Sequence, residues 1–93
     1  MYLERSESVV SYKISNILYN ERKKAGYSQS YVAKKAKLAR STVGNMEKGS
    51  TGYNICNLSQ YLSVLGISWS EFGARLHNDL ILEYSEKNSN RLS

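Results

Sequence analysis

The stretch from Ser28 to Gly49, SQSYVAKKAKLARSTVGNMEKG, constrains this chain more than any other. Ser28 suits a helix N-cap, Val32, Ala33 and Ala36 form an apolar stripe at helical spacing, and Leu38 ends the run. Val43 and Met46 begin a new stripe, so the segment reads as two short helices joined by a tight turn. The small Ala33 fits that reading, because helices crossing steeply over a short turn must approach where a bulky side chain would hold them apart. Arg40, Ser41, Thr42 and Asn45 lie on the polar side of the second helix. That is how a helix presents hydrogen-bonding groups to the major groove of DNA. Periodicity alone fits an ordinary helical hairpin equally well.

The length, 93 residues, suits one domain with a modest core built from four or five short helices. No apolar run reaches the length of a membrane span, and the opening MYLERSESVV lacks the basic and apolar blocks of a secretory signal. The expectation is a cytoplasmic protein with no membrane partner. Cys56 is the only cysteine, and no Cys or His cluster has metal-ligand spacing, so neither disulfide, metal nor cofactor is expected. His77 is solitary, with no nucleophile arranged around it, and nothing points to catalysis. Charge is divided unevenly. Residues 1–48 hold ten Lys and Arg against four Glu, whereas residues 49–93 hold three against four acids. A basic amino-terminal half followed by a near-neutral remainder is the division expected between a polyanion-binding face and a region for packing or association. A merely solvated basic surface would have the same composition.

Along the chain, Met1 to Glu7 reads as a loose arm, and a helix is expected from near Ser8. Val10, Ile14, Ile17 and Leu18 recur at helical spacing, and Ala25 followed by Gly26 ends the segment. Arg22, Lys23 and Lys24 fall in its last turn, where cations complement the helix dipole. After a turn at STGY, Asn54 caps a fourth helix through Ile55, Leu58, Tyr61, Leu62 and Leu65, closed by Gly66. Ser68 and Glu71 form a capping box for a fifth helix carrying Trp69, Phe72 and Leu76. Beyond His77, the run Leu80, Ile81, Leu82 and Tyr84 suits either a continued helix or a short strand pairing across a dimer. The core is expected over residues 8–77, with a polar, frayed tail over residues 85–93.

Taken together, the segment from Ile14 to Phe72 resembles the phage-repressor type of helix-turn-helix domain, the XRE-like family of the lambda and 434 repressors and Cro. The resemblance rests on an ordered set. Leu18 and Arg22 come first, then Gly26, Ser28 and Gln29, the pair Val32-Ala33, Arg40-Ser41-Thr42-Val43, Glu47-Lys48-Gly49, Leu58, and Leu65-Gly66-Ile67-Ser68. It implies an all-α fold, a compact bundle of about five short helices. Two positions depart from the pattern. Lys37 stands at the turn where the family has Gly, and a left-handed backbone there costs a non-Gly residue roughly 1 kcal/mol. Ala39 stands where a capping Ser or Thr is common.

The resemblance also implies roles. Arg40, Ser41, Gly44 and Asn45 fall on the face turned toward base edges, where Arg suits the two acceptors of guanine and Asn the donor and acceptor of adenine. Gln29 corresponds to a phosphate-contacting residue, and Thr42, Lys48, Ser50 and Thr51 are further phosphate contacts. Arg22 and Glu47 correspond to an ion pair that orients the recognition helix. Tyr27 and Tyr61 take positions of core apolar residues, whereas Tyr31 and Tyr53 suit surface or DNA contact. Association is expected through Trp69, Phe72, Leu76, Leu80, Ile81 and Tyr84, within residues 69–84.

The function implied is a sequence-specific regulator of transcription, nucleoid-associated when bound, that holds double-stranded DNA as a homodimer on an inverted repeat. The basic Lys34 and Lys35 on the second helix, where some activating relatives carry acids, incline the reading toward repression. RNA polymerase is a further partner on this reading. A different class of function is an antitoxin-like module that binds a toxin and autoregulates its promoter, for which the segment LILEY would serve as well as for a homodimer.

Overall fold

The computed structural model describes the backbone of residues 2–49 and 54–92 and the side chains of residues 9–49 and 54–82. Five helices follow in order: α1 (Tyr2–Ala25), α2 (Gln29–Ala36), α3 (Arg40–Lys48), α4 (Ile55–Leu65) and α5 (Trp69–Leu92), with no strand among the described residues. The core is built where their apolar stripes converge. Ile17 and Leu18 from α1, Val32 and Ala33 from α2, Val43 and Met46 from α3, Leu58, Tyr61 and Leu62 from α4, and Phe72 from α5 form one buried cluster. Ile14, Tyr27, Leu38, Val64, Leu65, Ile67 and Leu76 pack around it.

Local chemistry sets the helix ends. The Ser28 hydroxyl accepts from the Tyr31 amide at 3.0 Å, and the Asn54 side chain accepts from the Cys56 amide at 2.7 Å. Ser68 and Glu71 bond reciprocally, Ser68 N to Glu71 Oε1 at 3.2 Å and Glu71 N to Ser68 Oγ at 3.0 Å, which starts α5. Gly49 ends α3 with φ 76°, and a Cβ there would meet the Ser15 hydroxyl at 3.3 Å, so both conformation and space favour glycine. The same Ser15 donates to the Met46 carbonyl at 2.8 Å, fastening the last turn of α3 to α1.

The two long helices exceed their expected lengths. α1 starts at Tyr2 rather than near Ser8, because LERSESVV contains no Gly or Pro to interrupt it. α5 continues to Leu92, so the segment from Leu80 to Tyr84 is helical and the expected frayed tail over residues 85–93 is helical as far as residue 92. Again no Gly or Pro stands between Ala74 and Leu92 to stop it. Arg75 on α5 forms an ion pair with Glu21 on α1, a surface tie between these helices.

Candidate nucleic-acid interface

The site is built from two short helices and the turn between them. α2 ends on Lys37 in the left-handed conformation, φ 59° and ψ 44°, with its amide directed at the carbonyls of Ala33 and Lys34. Leu38 N then donates to Ala33 O at 2.9 Å, and Leu38 packs against the core. Ala39 begins α3 from an extended conformation with no side-chain cap. Three residues thus reverse the chain, and the second of them anchors the turn by its apolar side chain.

Val43 and Met46 hold α3 against the core. Arg40, Ser41, Asn45 and Lys48 consequently face outward and are exposed, while Thr42 and Gly44 are partly covered. The positions 40, 41, 44, 45 and 48 repeat at helical spacing, so they share one side of α3. Gly44 leaves that side open: an added Cβ would meet only the Gln29 side-chain oxygen, at 3.9 Å.

Gln29 opens α2 and its side chain reaches toward α3. Its Nε2 donates to Glu47 Oε1 at 3.1 Å, leaving a second N–H and the carbonyl oxygen for other partners. Lys23, Ser28, Gln29, Ser30 and Arg40 line an open cleft of about 430 Å³ where the end of α1 meets the starts of α2 and α3. The start of α2, with Lys23 and Arg40 beside it, gives this cleft a local positive character.

Glu47 is the centre of the supporting structure. Arg22 donates Nε to Glu47 Oε2 at 2.7 Å and Nη2 to Oε1 at 2.9 Å, and its Nη1 donates to the Tyr27 carbonyl at 2.8 Å. The side chains of the pair are 8% and 3% exposed. Tyr61, from α4, donates its hydroxyl to Glu47 Oε2 and also approaches the Leu18 carbonyl at 3.2 Å. Burial pushes the Glu47 carboxyl up, but hydrogen bonds from Arg22, Tyr61 and Gln29 outweigh it and hold the group below its ordinary value. The hydrogen bond to Glu47 raises Arg22 against the opposing effect of its burial. Burial, then the neighbouring carboxylate, raises the Tyr61 phenol, which remains a donor. The sequence reading placed Tyr61 in the core but missed this hydroxyl contact. The available signal was a phenol at a position of apolar periodicity.

The remaining residues separate by burial. Tyr27 packs on the core and lies against exposed Tyr31 with ring centroids 4.5 Å apart and planes tilted by 38°, and the Lys35 ammonium lies 5.7 Å from the Tyr31 ring. Arg22 and Lys23 sit 5.3 and 5.9 Å from the ring of exposed Tyr19. Phe72, expected in an association surface, is instead 4% exposed and belongs to the protomer's own core cluster. Trp69, Ile81 and Leu82 are 46%, 48% and 62% exposed, and Leu76 and Leu80 are half-buried. Ser50, Thr51, Tyr53 and the side chain of Tyr84 lie outside the described residues. Among the described residues no group of His, Cys, Asp or Glu could hold a metal ion, and no helix is long and apolar enough to cross a membrane.

Two crossed helices, a core-anchored turn and an outward polar face define the helix-turn-helix class of DNA-binding regulators. The sequence matches the helix-turn-helix family model HTH_3 over residues 18–72, and the chain belongs to that family as a DNA-binding transcriptional regulator of the XRE type. Among solved structures it is similar to the wild-type restriction-modification controller protein C.Esp1396I, with 24% identity and a TM-score of 0.72 over 77% of this chain and 94% of that one. The same controller has been solved bound to a 25 base pair operator site. The clp gene regulator ClgR from Corynebacterium glutamicum aligns with a TM-score of 0.76 and 14% identity, covering 89% of this chain and 88% of that one. An HTH_3 family transcriptional regulator from Vibrio cholerae shares 29% identity at a TM-score of 0.67, over 73% of this chain and 38% of that one. No curated protein is significantly similar in sequence.

Proposed function

We propose that this chain is a sequence-specific repressor that binds an inverted-repeat operator in double-stranded DNA as a homodimer. The observation that carries the reading is the division of α3, which buries Val43 and Met46 and exposes Arg40, Ser41 and Asn45 on its opposite side. Arg40 reaches the paired acceptors of guanine and Asn45 the donor and acceptor of adenine, while Ser41 adds a short contact. Gly44 lets the groove wall approach. Gln29, Thr42 and Lys48 fix the register on phosphates, with Ser50 and Thr51 extending the contact. Arg22 spends its donors within the protein and so orients α3 rather than touching DNA.

Two copies would place their α3 helices in successive major grooves about 34 Å apart. That the structurally similar controller protein is bound to a 25 base pair operator site supports duplex DNA as the partner. Trp69, Leu76, Leu80 and Ile81, joined by exposed Leu82, supply the apolar surface for pairing. Exposed Lys34 and Lys35 give α2 a basic surface, which favours repression by occupancy as the outcome.

The test is selection of bound duplexes from a random pool, followed by sequencing. The proposal predicts enrichment of two half-sites related by a dyad. Recovery of a single direct half-site, or no enrichment over the starting pool, would contradict it.

A further inference from the structure

The Glu47 carboxylate has two oxygens, and each takes one nitrogen of Arg22 and one neutral donor from another helix. Oε1 receives the amide of Gln29 on α2, and Oε2 receives the hydroxyl of Tyr61 on α4. A carboxylate offers about four acceptor sites, so this one is fully used. Its orientation is set from both sides. Arg22, itself held by the Tyr27 carbonyl, fixes the carboxylate from one edge with its fork. The neutral donors hold it from the other: Tyr61 on α4 fixes one oxygen, which helps present the second to Gln29 at a defined position.

We propose that Tyr61 is a positioning residue for DNA binding, acting through Glu47 on the Gln29 side chain. The inference rests on the reading of Gln29 as a DNA contact. Tyr61 itself is fully buried and cannot touch a duplex. Its hydroxyl acts at a distance of two hydrogen bonds, through a group whose other partners are committed. Gln29 stands at the mouth of the cleft beside Arg40, with its amide oxygen near Gly44, so a change in its direction is felt in that cleft, at the starts of α2 and α3. Free rotation of Gln29 would convert a preset contact into one that must be ordered on binding.

A double-mutant cycle measures this coupling. Tyr61→Phe, Gln29→Ala and the double variant are compared by affinity for one selected duplex, with folding checked by circular dichroism and thermal melting. Tyr61→Phe is expected to weaken binding by about tenfold in the parent and by less than about twofold in the Gln29→Ala background. Equal losses in both backgrounds, or a folded Tyr61→Phe with unchanged affinity, would overturn the proposal. If Gln29→Ala alone leaves affinity intact, the reading of Gln29 as a contact fails, and the inference falls with it. If Gln29→Ala weakens binding and the cycle shows no coupling, the inference alone fails.

Should Tyr61→Phe not fold, the coupling is read in the opposite direction, since linkage is reciprocal. Duplex addition should then shift the buried Tyr61 ring resonances of the parent protein and leave them in place in Gln29→Ala at saturating DNA. Equal ring shifts in both proteins would contradict the proposal.

Discussion

Arg22 and Glu47, 25 residues apart in sequence, form a forked ion pair that joins the last turn of α1 to the last turn of α3. Both side chains are almost wholly covered, so neither charge has water to fall back on. Glu47→Ala is expected to cost about 3 to 5 kcal/mol in urea unfolding, because it leaves the Arg22 guanidinium buried and unpaired. A loss of about 0.5 kcal/mol, the worth of an exposed pair, would count against this description.

The same carboxylate sets a dependence on acid. Its folded value lies below the ordinary 4.5, so the stability it contributes is complete above that value and is lost as pH falls through the lower folded one. The unfolding midpoint should therefore drop as pH falls below the ordinary carboxylate value of 4.5, and more steeply in the parent than in Glu47→Gln. Parallel curves for the two proteins would show that Glu47 is not the group responsible.

Two residues of the turn leave local stability unrealised. Lys37 holds φ 59° without glycine's freedom, and Ala39 starts α3 with no capping hydrogen bond. Lys37→Gly should raise stability by up to roughly 1 kcal/mol, less the added entropy of the unfolded chain, and Ala39→Ser by about 0.5 to 2 kcal/mol. Since these residues are adjacent to α3 but outside its reading face, thermal melting should move while duplex preference stays the same. Altered base preference in Ala39→Ser would show that the start of α3 had shifted.

Caps and stripes were legible because they depend on neighbours in sequence: Ser28, Asn54, the Ser68 and Glu71 box, and the spacing of Val43 and Met46 each carry their own local reason. The residues at 37 and 39 stood out as departures from the family pattern, and the structure puts both at the positions where the departure has a physical consequence. Contacts between distant segments were harder to read. Phe72 looked available for association because nothing near it in sequence shows that it enters the core formed by the other helices, and the Tyr61 hydroxyl looked idle because its acceptor lies 14 residues away on another helix. Helix ends without Gly or Pro left no mark, so α1 and α5 run further than their apolar stripes suggested.

Association through α5 can be tested apart from DNA. Ile81→Asp places a charge on a half-exposed apolar residue that supports no core contact in the buried cluster. Sedimentation at tens of micromolar, about the range for weak dimers, should show the parent as a dimer and the variant as a monomer of similar thermal stability. A monomeric parent at that concentration would contradict the proposed pairing.

The claim that the outward side of α3 reads base edges is tested most directly by one set of affinities: the parent and Arg40→Ala, each on the selected duplex and on every single-base change within one half-site. Arg40→Ala should lose about 1 to 3 kcal/mol on the selected site and lose its preference at one base pair per half-site, leaving discrimination elsewhere intact. An equal loss on every duplex would make Arg40 a phosphate contact and contradict the assignment of that side to base recognition.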